Sequence, residues 1–166
     1  MKQLFICFLL ISISQIASSQ VDSTTPPYKK FPTVPPLQLL LADSTTTFTK
    51  DKLSSKKPVL IMLFSPDCSY CQHEAEEFLT RKEELKKIQV VMITFHPLWQ
   101  MNEFVKKYRL NELSNIVVGK DIYLTMPSFY NIHNLPFHAL YDKKGKLITV
   151  QEGSLEFAKM MDAFEN

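Results

Sequence analysis

The chain has 166 residues, 45% hydrophobic and 22% charged, which fits about one globular domain and excludes both a disordered tail and a membrane bundle. Its net charge of +2 is too even for the concentrated basic face of a nucleic-acid binder. The three glycines, Gly119, Gly145 and Gly153, lie too far apart to build a phosphate-cradling loop.

The first residues read as an export signal. Lys2 supplies a positive start, residues 4–16 are mostly apolar, and Ala17, Ser18 and Ser19 are the small residues a signal peptidase accepts. The apolar run is broken by Ser12, Ser14 and Gln15, short of the ~20 residues a membrane span needs. Cleavage after Ser19 places the mature protein outside the cytoplasm, in the periplasm; an uncleaved segment would instead hold it at the membrane. Cys7 lies inside the apolar run and not behind it, so it is no lipid-attachment site. Residues 20–36 carry Pro26, Pro27, Pro32, Pro35 and Pro36, half of the ten prolines, and read as an extended, semi-rigid linker without a core of its own.

The folded domain is expected over 37–166. Residues 37–41 read as a first strand, followed by a Ser/Thr-rich stretch around 44–49. Residues 59–64 and 90–95 are apolar without alternation, the mark of strands buried on both faces. Between them Cys71, Ala75, Phe78, Leu79, Lys82 and Leu85 recur at helical spacing. Strand, helix and strand form a right-handed βαβ unit. A helix is predicted over 99–110, and a second over 121–132 interrupted by Pro127. Residues 137–141 and 147–150 flank Asp142-Lys143-Lys144-Gly145, a hairpin turn signal. A last amphipathic helix starts from Ser154 as N-cap and runs through Phe164. These elements predict a three-layer α/β/α sandwich around a central mixed sheet, parallel strands first and an antiparallel hairpin last.

Once the signal is removed, Cys68 and Cys71 are the remaining cysteines. A bond across two residues closes too small a ring to restrain the unfolded chain much, so chemistry explains the pair better than stapling. Pro66-Asp67-Cys68-Ser69-Tyr70-Cys71 falls between a buried strand and the following helix. Cys68 would sit at the helix N-terminus, where free amides and the macrodipole favour negative charge, and Cys71 one turn deeper on the core-facing stripe. An exposed, activated Cys68 and a shielded, resolving Cys71 follow. A helix terminus supplies only ~0.3–1 kcal/mol, so nearby amides and the second thiol must contribute as well.

With this motif in view, the sequence resembles the thioredoxin superfamily, and within it the exported TlpA/ResA-type reductases. The resemblance spans roughly 37–164. It rests on Lys57-Pro58-Val59-Leu60-Ile61 leading into Cys68 and Cys71, on Leu135-Pro136 entering a strand, and on the hairpin from Leu140 to Ile148. It implies a thiol–disulfide oxidoreductase that reduces protein disulfides without a cofactor, drawing on an upstream thiol donor at the membrane and acting as a monomer. It also implies that Pro136 is cis and packs beside the cysteines, and that Leu135 offers its backbone to the client. Glu74 matches an acidic position that moves protons near the resolving thiol; the plainer reading is that it complements its helix terminus. Tyr70 is expected to shape the surroundings of the disulfide and touch the client.

Two departures from the family stand out. Asp67 replaces the usual tryptophan and opposes a thiolate unless it faces solvent or caps the helix. Met62 replaces the buried acid of the central strand. Gln72, and not His, follows Cys71, which excludes haem attachment. A competing reading is a copper or zinc site in which His133 or His138 joins the cysteines; another is a binding module without turnover. His73 is expected in solvent, Trp99 and the methionines in the core.

Overall fold

A computed structural model describes residues 25–165. The expected export signal, residues 1–19, lies outside them. Among the described residues seven strands form one sheet: β1 (Gln38–Leu40), β2 (Thr47–Thr49), β3 (Val59–Leu63), β4 (Gln89–Thr94), β5 (Ile116–Asp121), β6 (Phe137–Tyr141) and β7 (Leu147–Glu152), in the order β2-β1-β5-β4-β3-β6-β7. The β3, β4 and β5 pairs are parallel, and every other pair is antiparallel. β3 lies inside the sheet between β4 and β6 and is wholly buried, which is why its five residues carry no polar alternation.

Because side chains alternate across a strand, β3 feeds two cores. Leu60, Met62 and Phe64 pack with Val90, Met92 and Leu140 beneath the helices Ser69–Thr80, Leu98–Lys107 and Phe157–Glu165. Val59, Ile61 and Leu63 pack with Val91, Ile93 and Phe137 beneath the helix Thr125–Tyr130. The predicted three layers are thus present, with the mixed sheet between them.

Several elements differ from the sequence reading. The proline-rich stretch is no free spacer: Pro27–Lys30 is a helical turn, Thr33 bridges Lys146, the Leu147 amide donates to Pro32 O, and Val34 is buried. Tyr28 reaches Tyr130 with ring centroids 6.0 Å apart, so the segment completes the second outer layer. The first strand is antiparallel to β5, and the Ser/Thr stretch holds β2.

The expected helix over 71–85 is two, Ser69–Thr80 and Lys82–Leu85, parted at Arg81. Residues 116–121 form a strand the sequence reading lacked, and the expected helix over 121–132 shrinks to Thr125–Tyr130. Pro127 sits in its first turn, where no intrahelical amide bond is lost. The buried Asp121 carboxylate accepts the Met126 N–H at 2.8 Å and serves that helix start instead. Gly119 admits β1: a Cβ there would lie 2.7 Å from Leu39 Cβ. Ser154 is not a cap, since the last helix begins at Phe157. The methionines at 62, 92, 101, 126, 160 and 161 are core residues as expected, but Trp99 is 61% exposed.

Candidate active site

β3 ends at Leu63, and Ser65 to Asp67 turn the chain into the helix Ser69–Thr80. The helix cap is Cys68 itself. Its backbone is extended, and its Sγ accepts the Cys71 N–H at 3.2 Å, the role Ser, Thr, Asp or Asn usually plays. The first sulfur thereby lies at the amide-rich tip that favours negative charge. Asp67 does not cap; it is exposed, and its own N–H donates to Ser65 Oγ at 3.3 Å.

Cys71 is fully buried, while Cys68 is partly exposed. Burial pushes the Cys71 thiol well up, helped by its hydrogen bond with Cys68 and the nearby charge of Glu74, and opposed by the Ser65 backbone. One sulfur is therefore reachable and the other held protonated beneath it.

The Leu135–Pro136 peptide bond is cis, and Pro136 is buried. Pro136 O accepts the Gly153 N–H at 2.8 Å, tying the turn to the end of β7. Leu135 packs against both cores and lines an open groove of about 520 Å³ with Leu63, Phe95, Leu124, Ile132 and His133. Tyr70 is 62% exposed in the first helical turn. Trp99 lines a second depression with Pro66, Asp67 and Gln72, so its indole serves the surface beside the motif and not the core.

Glu74 is the largest departure from the plain reading. It does not lie on the helix surface: it is 2% exposed. Its Oε2 meets His138 Nε2 at 2.7 Å, and its Oε1 accepts the Leu155 N–H at 2.9 Å. A carboxylate in such an interior requires partners on both oxygens, and two distant segments provide them. His138 stands on β6 directly opposite Met62, so the polar group absent from β3 has a counterpart on the neighbouring strand.

The metal reading finds no support in this arrangement. His138 is turned to Glu74, and exposed His133 lies 3.5 Å from Glu152. Among the described residues no three His, Cys, Asp or Glu side chains group as ligands. His73 is exposed, as expected.

Sequence reasoning missed a polar chain at the end of β4. Ser65 Oγ and His96 Nε2 are 3.0 Å apart, and His96 Nδ1 lies 2.9 Å from Gln100 Oε1. Their one sequence signal is position, since His96 and Ser65 each follow a parallel strand, and ligand crevices open at that end of such sheets.

No curated protein matches the chain by sequence. Among solved structures, it is similar to a secreted Mycobacterium tuberculosis disulfide oxidoreductase homologous to Escherichia coli DsbE: 20% identity, 77% of this chain and 92% of that one, TM-score 0.62. A thioredoxin-family thiol:disulfide interchange protein from Chlorobium tepidum gives 15% identity over 85% and 95%, TM-score 0.66. An exposed lipoprotein thioredoxin of Streptococcus pneumoniae gives 19% over 79% and 98%, TM-score 0.59. These likenesses establish the fold. The model of the thioredoxin-like domain family matches residues 48–166, which include the strand, the two cysteines, the cis-proline turn and the closing hairpin, and the chain belongs to that family.

Proposed function

We propose that this protein is an exported thiol–disulfide oxidoreductase whose Cys68 and Cys71 cycle between dithiol and disulfide, and that it reduces disulfides in client proteins. The observation that carries the reading is the inequality of the two sulfurs: a reachable Cys68 on a helix tip over a buried Cys71 held protonated. Cys68 thiolate attacks a client disulfide and forms a mixed disulfide, releasing one client thiolate. Cys71 then gives up its proton, displaces the second client sulfur from Cys68 and closes the Cys68–Cys71 bond. Two electrons pass to the client, and an upstream thiol donor at the membrane returns them.

Glu74, one turn from Cys71 on the same helix face, takes the resolving proton. Leu135 and Pro136 receive the client beside the cysteines, and Tyr70 flanks its entry. The sulfurs perform the whole exchange, so no cofactor is required, and one chain suffices. Export rests on the apolar N-terminal segment and its small residues 17–19; a secreted protein and an exposed lipoprotein among the structural neighbours agree with it. No helix among the described residues is long and apolar enough to cross a membrane.

The test is insulin-disulfide reduction with dithiothreitol as donor. The wild type accelerates precipitation, Cys68→Ser abolishes the effect, and Cys71→Ser accumulates the mixed disulfide. Equilibration with glutathione decides direction: a potential near about −120 mV, that of strong oxidants, would overturn the reductant assignment.

A further inference from the structure

We propose that His138 is the positioning residue of the resolving step, holding the Glu74 carboxylate in a buried pair that accepts the Cys71 proton. The inference rests on the thiol–disulfide reading above and adds a residue to it.

Three observations carry it. First, the contact is short and dry: His138 Nε2 and Glu74 Oε2 are 2.7 Å apart, with side chains 1% and 3% exposed. Charge-assisted hydrogen bonds of this length are roughly twice as strong as neutral ones. Second, both carboxylate oxygens are spoken for, Oε1 by the Leu155 amide, so the carboxylate has a fixed orientation one helical turn below Cys71. Third, His138 Nδ1 is buried with no hydrogen-bond partner among the described residues. The ring is thus oriented through Nε2 alone, on the one group it faces.

The surroundings leave the pair to communicate with the thiols. On the helix Ser69–Thr80, Cys71 shares the buried face with Glu74, and the Glu74 charge acts on its thiol. From β3 the opposite residue is Met62, and from β7 it is Gln151, whose amide is engaged by Ser154 O at 2.7 Å. The last helix adds Phe157 and Met160 to the core that holds Cys71 and Ala75. Arg81, the residue that ends the helix Ser69–Thr80, lies over the Phe157 ring and pairs with Glu77 and Glu84.

The step balances without another reactant. Cys71–SH transfers its proton to the carboxylate, and the resulting thiolate attacks Cys68 Sγ of the mixed disulfide. The Cys68–client bond breaks as the Cys68–Cys71 bond forms. The client sulfur leaves with the electron pair and takes a proton from water. The proton received by the pair rests on the carboxylate, which His138 Nε2–H keeps in place, and returns to Cys71 when the disulfide is reduced again.

Ellman's reagent separates the two steps, because the reduced full-length protein releases one thionitrobenzoate when Cys68 attacks and a second when Cys71 resolves. With the pair accepting the proton, the second phase of the wild type changes little between pH 6 and 8. A wild-type second phase that rises tenfold per pH unit would overturn the proposal without any variant. His138→Gln keeps a side-chain N–H toward Glu74 but has no titratable ring. It is expected to leave the first phase intact and slow the second by about tenfold at pH 7, less than the ~10²–10⁴ that a positioned base contributes in full, because Glu74 remains. Glu74→Gln should slow it further, and the double variant should match Glu74→Gln. An unchanged second phase in His138→Gln, equal slowing of both phases, or independent effects in the double variant would each refute it. A wild type releasing only one equivalent sinks the dithiol reading itself, and this inference with it.

Discussion

Replacing His138 with leucine tests the energetics of the buried pair separately from its chemistry. The substitution removes the Nε2 partner 2.7 Å from Glu74 and leaves a carboxylate that is 3% exposed with the Leu155 amide as its remaining donor. Leaving a buried charge short of a partner costs about 3–5 kcal/mol. The surviving hydrogen bond to the carboxylate, worth about 1.5–3 kcal/mol, keeps the expected cost at the lower end, about 3 kcal/mol. For a domain of this size that lowers Tm by roughly 6–12 °C. Removing both partners, as in Glu74→Leu with His138→Leu, eliminates the stranded charge and leaves only the Leu155 N–H unpaired, a cost of about 1–3 kcal/mol. The two single costs should therefore exceed the double by at least about 2 kcal/mol, the size typical of groups in one network. Urea unfolding of the four proteins at pH 7 measures this. A His138→Leu cost below about 1 kcal/mol, or additive costs, would show that the carboxylate does not depend on the imidazole.

Three further expectations follow from other parts of the molecule. Burial holds the Cys71 thiol up, so the folded reduced protein binds that proton more tightly than the unfolded chain; the resulting stability is complete below the ordinary thiol value of about 8.5 and lost as pH rises above it. Urea midpoints should fall more between pH 8 and 10 for the reduced wild type than for Cys71→Ala, and parallel curves would contradict this. Tyr130 and Tyr141 share a buried hydrogen bond of 2.6 Å between their hydroxyls; Tyr141→Phe strands the other hydroxyl at about 1–3 kcal/mol, whereas the double Phe variant should recover part of that loss in thermal unfolding. Gly119→Ala puts a Cβ 2.7 Å from Leu39 Cβ, and since Leu39 is buried the overpacking should cost about 1–3 kcal/mol; an unchanged urea midpoint would mean that β1 moves freely on β5.

Much of the site was legible from residue types and spacing. Two cysteines across two residues, at the end of an unbroken apolar run and on the stripe of the following helix, predict one sulfur at the tip and one beneath it, and β3 with the Ser69–Thr80 helix carries them there. The hairpin was equally readable, because Asp142 and Gly145 have turn roles that few residues fill: the Asp142 carboxylate accepts the Lys144 and Lys146 amides, and Gly145 takes a φ of 74°. Trp99 was misjudged because an indole at helical spacing reads as core, while its position rotates it out beside Pro66 and Asp67. The proline-rich stretch was misjudged for the converse reason: proline fixes the local backbone but says nothing of what it lies against, and here Val34 and Tyr28 find the second core.

Local order and the strand-to-helix turn were determined by the chain alone, since each depends on neighbours a few residues apart, and helical spacing gave which cysteine faces inward. The partnership of Glu74 with His138 and with Leu155 joins positions 64 and 81 residues distant, and nothing in either neighbourhood announces it. Glu74 stands three residues after Cys71 and four before Phe78, on the buried stripe of its helix, but only the sheet order, which sets β6 beside β3 and brings the segment before the last helix over their end, decided which partners its carboxylate meets there. A buried charge is defined by what surrounds it, and that is a property of the assembled fold.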